Sequence, residues 1–177
     1  MNLPNKLTLA RMIAVPFFIA AFIMGYYPVS LVIFVLASVT DYFDGKIARE
    51  RNLVTNFGKI MDPLADKILV YSALCLFIEA ELIAAWMLIL ILAREFIVAG
   101  MRTVAASEGR VLAAGMSGKI KTVLQMFAVI AYLAALSFEG VQGHILTAAN
   151  VLFYGSLIMT IYSGTEYVYK NRDIFSM

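Results

Sequence analysis

The sequence has few charged residues for its length. Of its 177 residues, 15% are charged and 62% are hydrophobic, whereas about 25% are charged in a typical soluble domain. The mean hydropathy is +0.86. This composition excludes an ordinary soluble domain and predicts an all-α protein integrated in a membrane. Membrane lipids are therefore expected partners, and no nucleic-acid partner is expected.

Cysteine and histidine are almost absent as well. The single cysteine, Cys75, excludes an intrachain disulfide framework, and its apolar neighbours predict a buried side chain. With one histidine, His144, a Cys/His zinc centre is excluded. The N-terminal region lacks a small-residue cleavage site after its apolar run, so we interpret this run as a retained span.

Long apolar runs are abundant and define the predicted helices. No charged residue occurs from Met12 to Thr40, which is too long for one helix across a core of roughly 30 Å. Turn formers and interfacial aromatics at 25–28 divide the run. A short amphipathic helix at 2–11 is predicted on the membrane surface before the first span. Six spans are predicted, at about 8–25, 29–50, 56–78, 82–106, 119–136 and 145–169. The third span has an alternative start at residue 62.

Basic residues are distributed unevenly between the predicted connections. Those at 25–28, 79–81 and 138–144 contain no lysine or arginine, while the other connections and both termini contain nearly all of them. By the positive-inside rule, the basic side and both termini are cytoplasmic. Residues 41–66 then lie around the cytoplasmic ends of spans two and three.

Four acids stand out in this apolar chain: Asp41, Asp44, Asp62 and Asp66. Spacings of three and four residues place each pair on one helix face. Four clustered carboxylates repel one another unless a cation neutralises them. Oxygen ligands favour Mg²⁺, Mn²⁺ or Ca²⁺, either as one ion or as a pair. A pair of such ions is a common device for phosphoryl transfer.

The residues around these acids suit a phosphate-containing ligand. Gly45 and Ala48 keep the face beside the acids free of large side chains. Arg49 and Lys59 are predicted close enough to contact phosphate oxygens. The sequence therefore favours a site at the membrane surface where a lipid headgroup and a water-soluble reactant meet.

Structural roles for the acids are an alternative. Asp62 followed by Pro63 resembles a helix N-cap, and Asp66 would then lie in the first turn, where the helix dipole favours an acid. Asp41 and Asp44 could form structural ion pairs with Lys46, Arg49 or Lys67.

The pattern from Asp41 to Asp66 reads D-x-x-D-G-x-x-A-R, eight residues, and then G-x-x-x-D-x-x-x-D. It resembles, at every fixed position, the signature of the CDP-alcohol phosphotransferases. Segments at 2–11, 61–67, 93–102 and 118–126 resemble the bacterial branch of this family that acts on glycerol 3-phosphate. The resemblance covers much of the chain apart from spans one and six.

The resemblance implies a reaction in which CDP-diacylglycerol and sn-glycerol 3-phosphate give phosphatidylglycerophosphate and CMP. It implies that the four acids bind two divalent metal ions, either Mg²⁺ or Mn²⁺. It also implies that Asp66 is the general base. Spacing alone does not identify the base. It also implies a homodimer in a bacterial plasma membrane. The positions that match the CDP-lipid contacts of relatives are Asn5, Thr8, Gly45, Ala48, Arg49 and Thr55.

The implied acceptor carries a phosphate dianion, so a second basic cluster is expected beyond the metals. The candidates on or beside spans four and five are Arg94, Arg102, Arg110, Lys119 and Lys121. Arg94 lies deepest in the predicted membrane and therefore needs a partner, for which Glu95 is available. Anchoring at the cytoplasmic surface is the structural alternative for the others.

Two other functions are alternatives. The same chemistry could use another acceptor, namely inositol phosphate, phosphatidylglycerol or serine. The acids could instead line a divalent-cation transporter, but this function predicts acids near the bilayer midplane with access from both sides. Clustering at one end of the spans favours the enzyme.

Overall fold

The computed structural model describes the backbone of residues 3–50, 55–113 and 115–175, and the side chains of 5–41, 55, 57–58, 61–113, 115–138 and 140–174. Within this part of the chain the fold is all-helical and contains no strand. The six α-helices are α1 (Leu3–Ile23), α2 (Tyr27–Glu50), α3 (Asn56–Glu79), α4 (Ala85–Ser107), α5 (Met116–Ser137) and α6 (Gln142–Lys170). Two 3-10 helices cover Glu139–Val141 and Arg172–Phe175.

The third helix begins at Asn56, the earlier of the two predicted starts. Thr55 is its N-cap, and the Thr55 hydroxyl accepts a hydrogen bond of 3.0 Å from the backbone N–H of Gly58. Pro63 consequently lies inside the helix. The alternative in which Asp62 caps this helix is wrong, and the Asp62 side chain is available for other contacts.

The first helix is continuous from Leu3 to Ile23, so the predicted surface helix at 2–11 is not a separate element. Asn5, Thr8 and Arg11 follow one another at intervals of three residues and therefore share one face. Only 7%, 0% and 3% of their surfaces are exposed. This polar face points into the protein, where the sequence had predicted a membrane-surface helix.

Three described helices are long and apolar enough to cross a membrane: α1, α5 and α6. The described part of α2 contributes a shorter apolar helix, Tyr27–Asp41. The α3 and α4 helices are 24 and 23 residues long, and both carry charged residues within their length. The apolar helices identify a membrane protein.

The apolar core joins all six helices. Phe22 of α1 lies 6.0 Å from Phe77 of α3 between ring centroids, and Phe77 lies 5.1 Å from Tyr132 of α5. Tyr132 in turn contacts Phe153 of α6 at 6.0 Å. The α5 helix packs most extensively on α6, while α1 packs on α2 and α3. The core fixes the relative positions of the polar helix ends that form the candidate site.

The outer surface of the helices is largely apolar. Phe17, Phe96 and Ile158 are each more than 60% exposed, as expected for side chains that face lipid. Cys75 belongs to this outer surface, because its side chain is exposed on α3. The prediction of a buried Cys75 is wrong, since a uniformly apolar run does not indicate which of its faces is turned inward.

Candidate active site

The polar face of α1 holds the ends of α2 and α3. Arg11 donates a hydrogen bond to Asp41 in an ion pair in which the Arg11 side chain is buried and the Asp41 side chain is partly exposed. The Thr8 hydroxyl donates to Oδ1 of Asp62 at 2.5 Å. These contacts orient two of the predicted metal-binding carboxylates before any ligand arrives.

A third contact from this face lies at the start of α3. The Thr55 hydroxyl donates to Oδ1 of Asn5 at 2.9 Å. A Cβ atom built on Gly58 would lie 3.4 Å from Asn5 Oδ1, Asp62 Oδ2 and Thr55 Oγ1. Gly58 thus lets α1 and α3 approach closely, and three oxygens surround its buried Cα.

Asp66 lies one turn beyond Asp62 on α3 and is half-buried. Its carboxylate interacts electrostatically with Asp41 and Arg11, as well as with Lys67 and Lys121. The structure therefore brings Asp41, Asp62 and Asp66 to the polar region between α1 and the adjoining ends of α2 and α3. The ion-pair partner of Asp41 is Arg11. The sequence had offered Lys46, Arg49 or Lys67 as partners for this acid, and Arg11 was not among them.

The fourth acid, Asp44, belongs to the part of α2 whose side chains are not described, as do Gly45, Ala48 and Arg49. Predictions for these side chains, and for Lys46 and Lys59, fall outside the described residues. Among the residues that are described, no group of three His, Cys, Asp or Glu side chains has the geometry of a metal centre. Asp41, Asp62 and Asp66 offer oxygen ligands alone, the ligand type that Mg²⁺ and Mn²⁺ prefer.

Glu95 of α4 connects three basic side chains. Its Oε1 accepts hydrogen bonds from Lys121 at 2.6 Å and from Arg94 at 2.8 Å. Its Oε2 accepts from Lys67 at 2.7 Å. The carboxylate is 12% exposed, so these charge-assisted bonds are partly protected from solvent. Glu95 thereby fixes cations from α3, α4 and α5 beside Asp66.

Two cavities meet at this cluster. A small cavity of about 50 Å³ is lined by Asp66, Tyr71 and Lys121, among others. A larger cavity of about 770 Å³ lies next to it, and both are lined by Lys67, Glu95 and Thr122. The acid region therefore borders directly on a space large enough for a small ligand.

The larger cavity is rich in basic side chains, which are Lys67, Arg94, Arg102, Lys119 and Lys170. Two acids, Glu95 and Glu166, also line it. Arg102 donates a hydrogen bond of 3.1 Å to the Tyr167 hydroxyl. The structure thus brings the predicted residues Arg94, Arg102 and Lys119 to one cavity and places Lys121 in the small cavity beside it.

Arg110 is not among the residues that line this cavity. It donates a hydrogen bond of 2.5 Å to Asp173 near the C-terminus. This bond lowers the pKa of Asp173 below its ordinary value of 3.8 and raises the pKa of Arg110. The pair connects the α4–α5 loop to the last 3-10 helix.

Arg94 reaches the cavity between two glycines. A Cβ atom on Gly164 of α6 would lie 2.9 Å from Cγ of Arg94, and one on Gly118 of α5 would lie 3.0 Å from its guanidinium. The Arg94–Glu95 ion pair that the sequence predicted is confirmed. Among the buried side-chain atoms described, Nε of Arg94 has no hydrogen-bond partner.

The sequence did not predict two sets of contacts in this region: Arg11 with Asp41, and Glu95 with Lys67 and Lys121. In the sequence, Arg11 belongs to the amphipathic segment 2–11 and to the basic cytoplasmic side, and neither pattern predicts an acid partner for it. Its position three residues after Thr8 was an available signal, because Asn5, Thr8 and Arg11 then share one face. No comparable signal marks Glu95 as a partner of Lys67 and Lys121, which lie 28 and 26 residues away.

Known proteins resemble the chain over nearly its full length. A model of the CDP-alcohol phosphatidyltransferase family matches residues 1–162. A Bacillus subtilis protein named CDP-diacylglycerol–glycerol-3-phosphate 3-phosphatidyltransferase is 45% identical, covering 97% of this chain and 96% of the relative. Proteins with this name from Rickettsia felis and Sodalis glossinidius are each 37% identical, with 97% and 98% of the relatives covered. The chain therefore belongs to the CDP-alcohol phosphatidyltransferase family.

Proposed function

We propose that the chain is an integral membrane enzyme that transfers a phosphatidyl group from CDP-diacylglycerol to sn-glycerol 3-phosphate. The products are phosphatidylglycerophosphate and CMP. The observation that carries this proposal is the contact between an acid cluster and a basic cavity, which share Lys67 and Glu95 as walls. Family membership and the names of the relatives support the same reaction.

The basic cavity is the proposed site for the acceptor phosphate. Its guanidinium and ammonium groups favour a dianion, and arginine forms paired hydrogen bonds to phosphate oxygens. The candidate ligands are Arg94, Arg102 and Lys119, with Arg110 as a more distant contributor from the α4–α5 loop. With its phosphate in this cavity, a three-carbon acceptor extends its hydroxyl toward the small cavity beside Asp66.

Asp66 is the proposed general base. It lines the small cavity, where it can accept the proton of the acceptor hydroxyl. The hydroxyl oxygen then bonds to the phosphorus that carries the diacylglycerol, the bond from this phosphorus to the bridging oxygen of the pyrophosphate breaks, and CMP departs with that oxygen. Lys67 and Lys121 lie beside the reacting groups, where their charges offset the developing negative charge.

The family uses divalent metals, and we assign Mg²⁺ or Mn²⁺, two ions, to Asp41, Asp44, Asp62 and Asp66. When bound, such ions neutralise the pyrophosphate and polarise its oxygens. Thr8 and Arg11 hold Asp62 and Asp41 in place, so part of the ligand set is ordered by α1.

The CDP-lipid is assigned to the same end of the helices. The proposed contacts are Asn5, Thr8, Gly45, Ala48, Arg49 and Thr55. The contacts of Asn5 with Thr55 and of Thr8 with Asp62 support this assignment, because they place both α1 side chains beside the acids. A helix cap is the structural alternative for Asn5 or Thr8, but both residues lie within α1, which begins at Leu3.

We further propose six membrane spans, with the active site and both termini on the cytoplasmic side of a bacterial plasma membrane, and a homodimer as the assembly. The uneven distribution of lysine and arginine supports the orientation. A water-soluble acceptor and a lipid donor can meet only at the membrane surface, which is consistent with acids at the ends of α2 and α3.

The decisive experiment is release of CMP by the purified protein in detergent with CDP-diacylglycerol, glycerol 3-phosphate and Mg²⁺ or Mn²⁺. Release should require acceptor and metal, and Asp66→Asn should lower it by at least about a hundredfold. Glu79→Gln removes an exposed acid at the opposite end of α3 and serves as the control with nearly unchanged release. Transfer to inositol phosphate, phosphatidylglycerol or serine at a comparable rate would contradict the proposed acceptor. If well-folded protein releases no CMP with any acceptor, the divalent-cation transporter becomes the better hypothesis.

A further inference from the structure

A second, apolar groove lies between α4 and α6, on the outer surface of the helices. Its volume is about 570 Å³, within the range of ligand pockets, which is about 300–1,000 Å³. On α6 its wall runs from Thr160 to Tyr169, and on α4 from Leu90 to Ile97; Arg172 of the last 3-10 helix lies at its end. Ile161 and Ile97 on its two sides are 52% and 50% exposed, so the groove opens outward.

The dimensions of the groove match one half of a bilayer. From Thr160 to Tyr169 there are nine residue steps, or about 14 Å at 1.5 Å per residue of α-helix. One leaflet of the hydrocarbon core is about 15 Å thick, half of roughly 30 Å. The groove is therefore about as long as the part of an acyl chain that one leaflet accommodates.

The end of the groove is positively charged. The Arg172 guanidinium lies 5.3 Å from the centroid of the Tyr169 ring and forms no ion pair with another described residue. None of the residues lining the groove is acidic, and Arg94 contributes its aliphatic carbons to the floor beside Gly164. Basic pockets between membrane helices commonly bind anionic lipid headgroups.

We propose that this groove binds one acyl chain of an anionic phospholipid whose headgroup phosphate contacts Arg172. This site is distinct from the proposed reaction centre, since Arg94 is the one described residue that lines both the groove and the basic cavity. An apolar surface alone would suit a second copy of the chain equally well. An elongated groove with a cation at its headgroup end favours a lipid.

Tryptophan fluorescence in lipid vesicles tests the proposal without enzymatic turnover. In a Trp86→Phe background, which removes the single tryptophan, Ile161→Trp reports from the groove. Ile158→Trp, on the same helix but outside the groove, is the matched control; the side chain it replaces is 68% exposed. Ile97→Trp on the α4 wall provides a second reporter if Ile161→Trp disturbs folding.

The quenchers are phosphatidylglycerol and phosphatidylcholine with brominated acyl chains, compared in mixed vesicles. At the groove reporters, phosphatidylglycerol should quench with an affinity about fivefold higher than phosphatidylcholine, the preference expected from one arginine near the surface. Arg172→Gln should abolish this preference, and the control reporter should show none. A preference that survives Arg172→Gln, or equal quenching by both lipids at the groove, would overturn the proposal. The proposal would also be overturned if both lipids quench the control reporter and neither quenches the groove reporters. That result would indicate that a second copy of the chain covers the groove.

Discussion

The Thr8 hydroxyl is a single buried group whose removal should affect a metal ligand without disturbing the fold. It is fully buried and donates to Asp62 at 2.5 Å. A hydrogen bond to a charged group contributes about 1.5–3 kcal/mol. Thr8→Val retains the shape but loses the donor, so we expect the Mg²⁺ concentration for half-maximal activity to rise about tenfold to a hundredfold.

The control for this prediction is Thr8→Ser, which retains the hydroxyl and should preserve metal dependence. The measurement is CMP release as a function of Mg²⁺ concentration, with circular dichroism to verify that both variants are folded. An unchanged metal requirement in Thr8→Val would indicate that α1 does not position Asp62 for metal binding.

Glu95 illustrates how one acid can determine the positions of several cations. In Glu95→Gln, Lys67 and Lys121 lose their carboxylate partner, and both already interact electrostatically with Asp66. We expect them to turn toward Asp66 and compete with the acceptor proton and the metal. The prediction is a kcat at least about tenfold lower, with little change in KM for CDP-diacylglycerol.

Glu166→Gln is a suitable control for Glu95→Gln, because Glu166 lines the same cavity and its replacement changes the charge equally. Its partners are Ser117 and Lys170, so kcat should change less. If Glu95→Gln instead keeps its kcat and binds glycerol 3-phosphate more tightly, then Glu95 acts only by reducing the positive potential of the cavity.

At the scale of the helices, Gly164 determines how closely α6 approaches α4. A Cβ atom there would lie 2.9 Å from Cγ of Arg94, near the backbone of α4, so either the helices or the arginine must shift. Overpacking of this kind costs about 1–3 kcal/mol. We expect Gly164→Ala to lower both the thermal unfolding temperature in detergent and kcat/KM for glycerol 3-phosphate.

Gly155 on the same helix is the matched control. Its added Cβ would lie 3.9 Å from Leu124, an ordinary contact, and alanine is favoured over glycine in a helix by up to about 1 kcal/mol. Gly155→Ala should therefore be neutral or stabilising. Equal effects of the two substitutions would show that the space between Gly164 and Arg94 tolerates a methyl group.

The sequence predicted the larger features of the molecule and only part of its site. Long apolar runs and their breaks were sufficient to place six helices, because hydrophobicity and turn formers act locally. Helix rotation was not predictable within uniformly apolar runs, as the exposed side chain of Cys75 shows. The contacts of Glu95 depend on how α3, α4 and α5 pack together, which no local pattern records. The fixed spacing of the acids indicated that they cluster. The pairing of Arg11 with Asp41, in contrast, depends on how α1 packs on α2 and is seen only in the folded structure.

The orientation of the whole molecule in the membrane is open to a direct test. Because Cys75 is the only cysteine, a Cys75→Ser background allows single cysteines to be placed in the connections. Val111 is 95% exposed in the α4–α5 loop, and Gly140 is exposed between α5 and α6. If the basic side is cytoplasmic, a membrane-impermeant maleimide should label Gly140→Cys in intact spheroplasts and Val111→Cys only after permeabilisation. The reverse pattern would place the basic cavity outside, where a cytoplasmic phosphorylated acceptor could not reach it, and would contradict both the topology and the proposed route of the substrate.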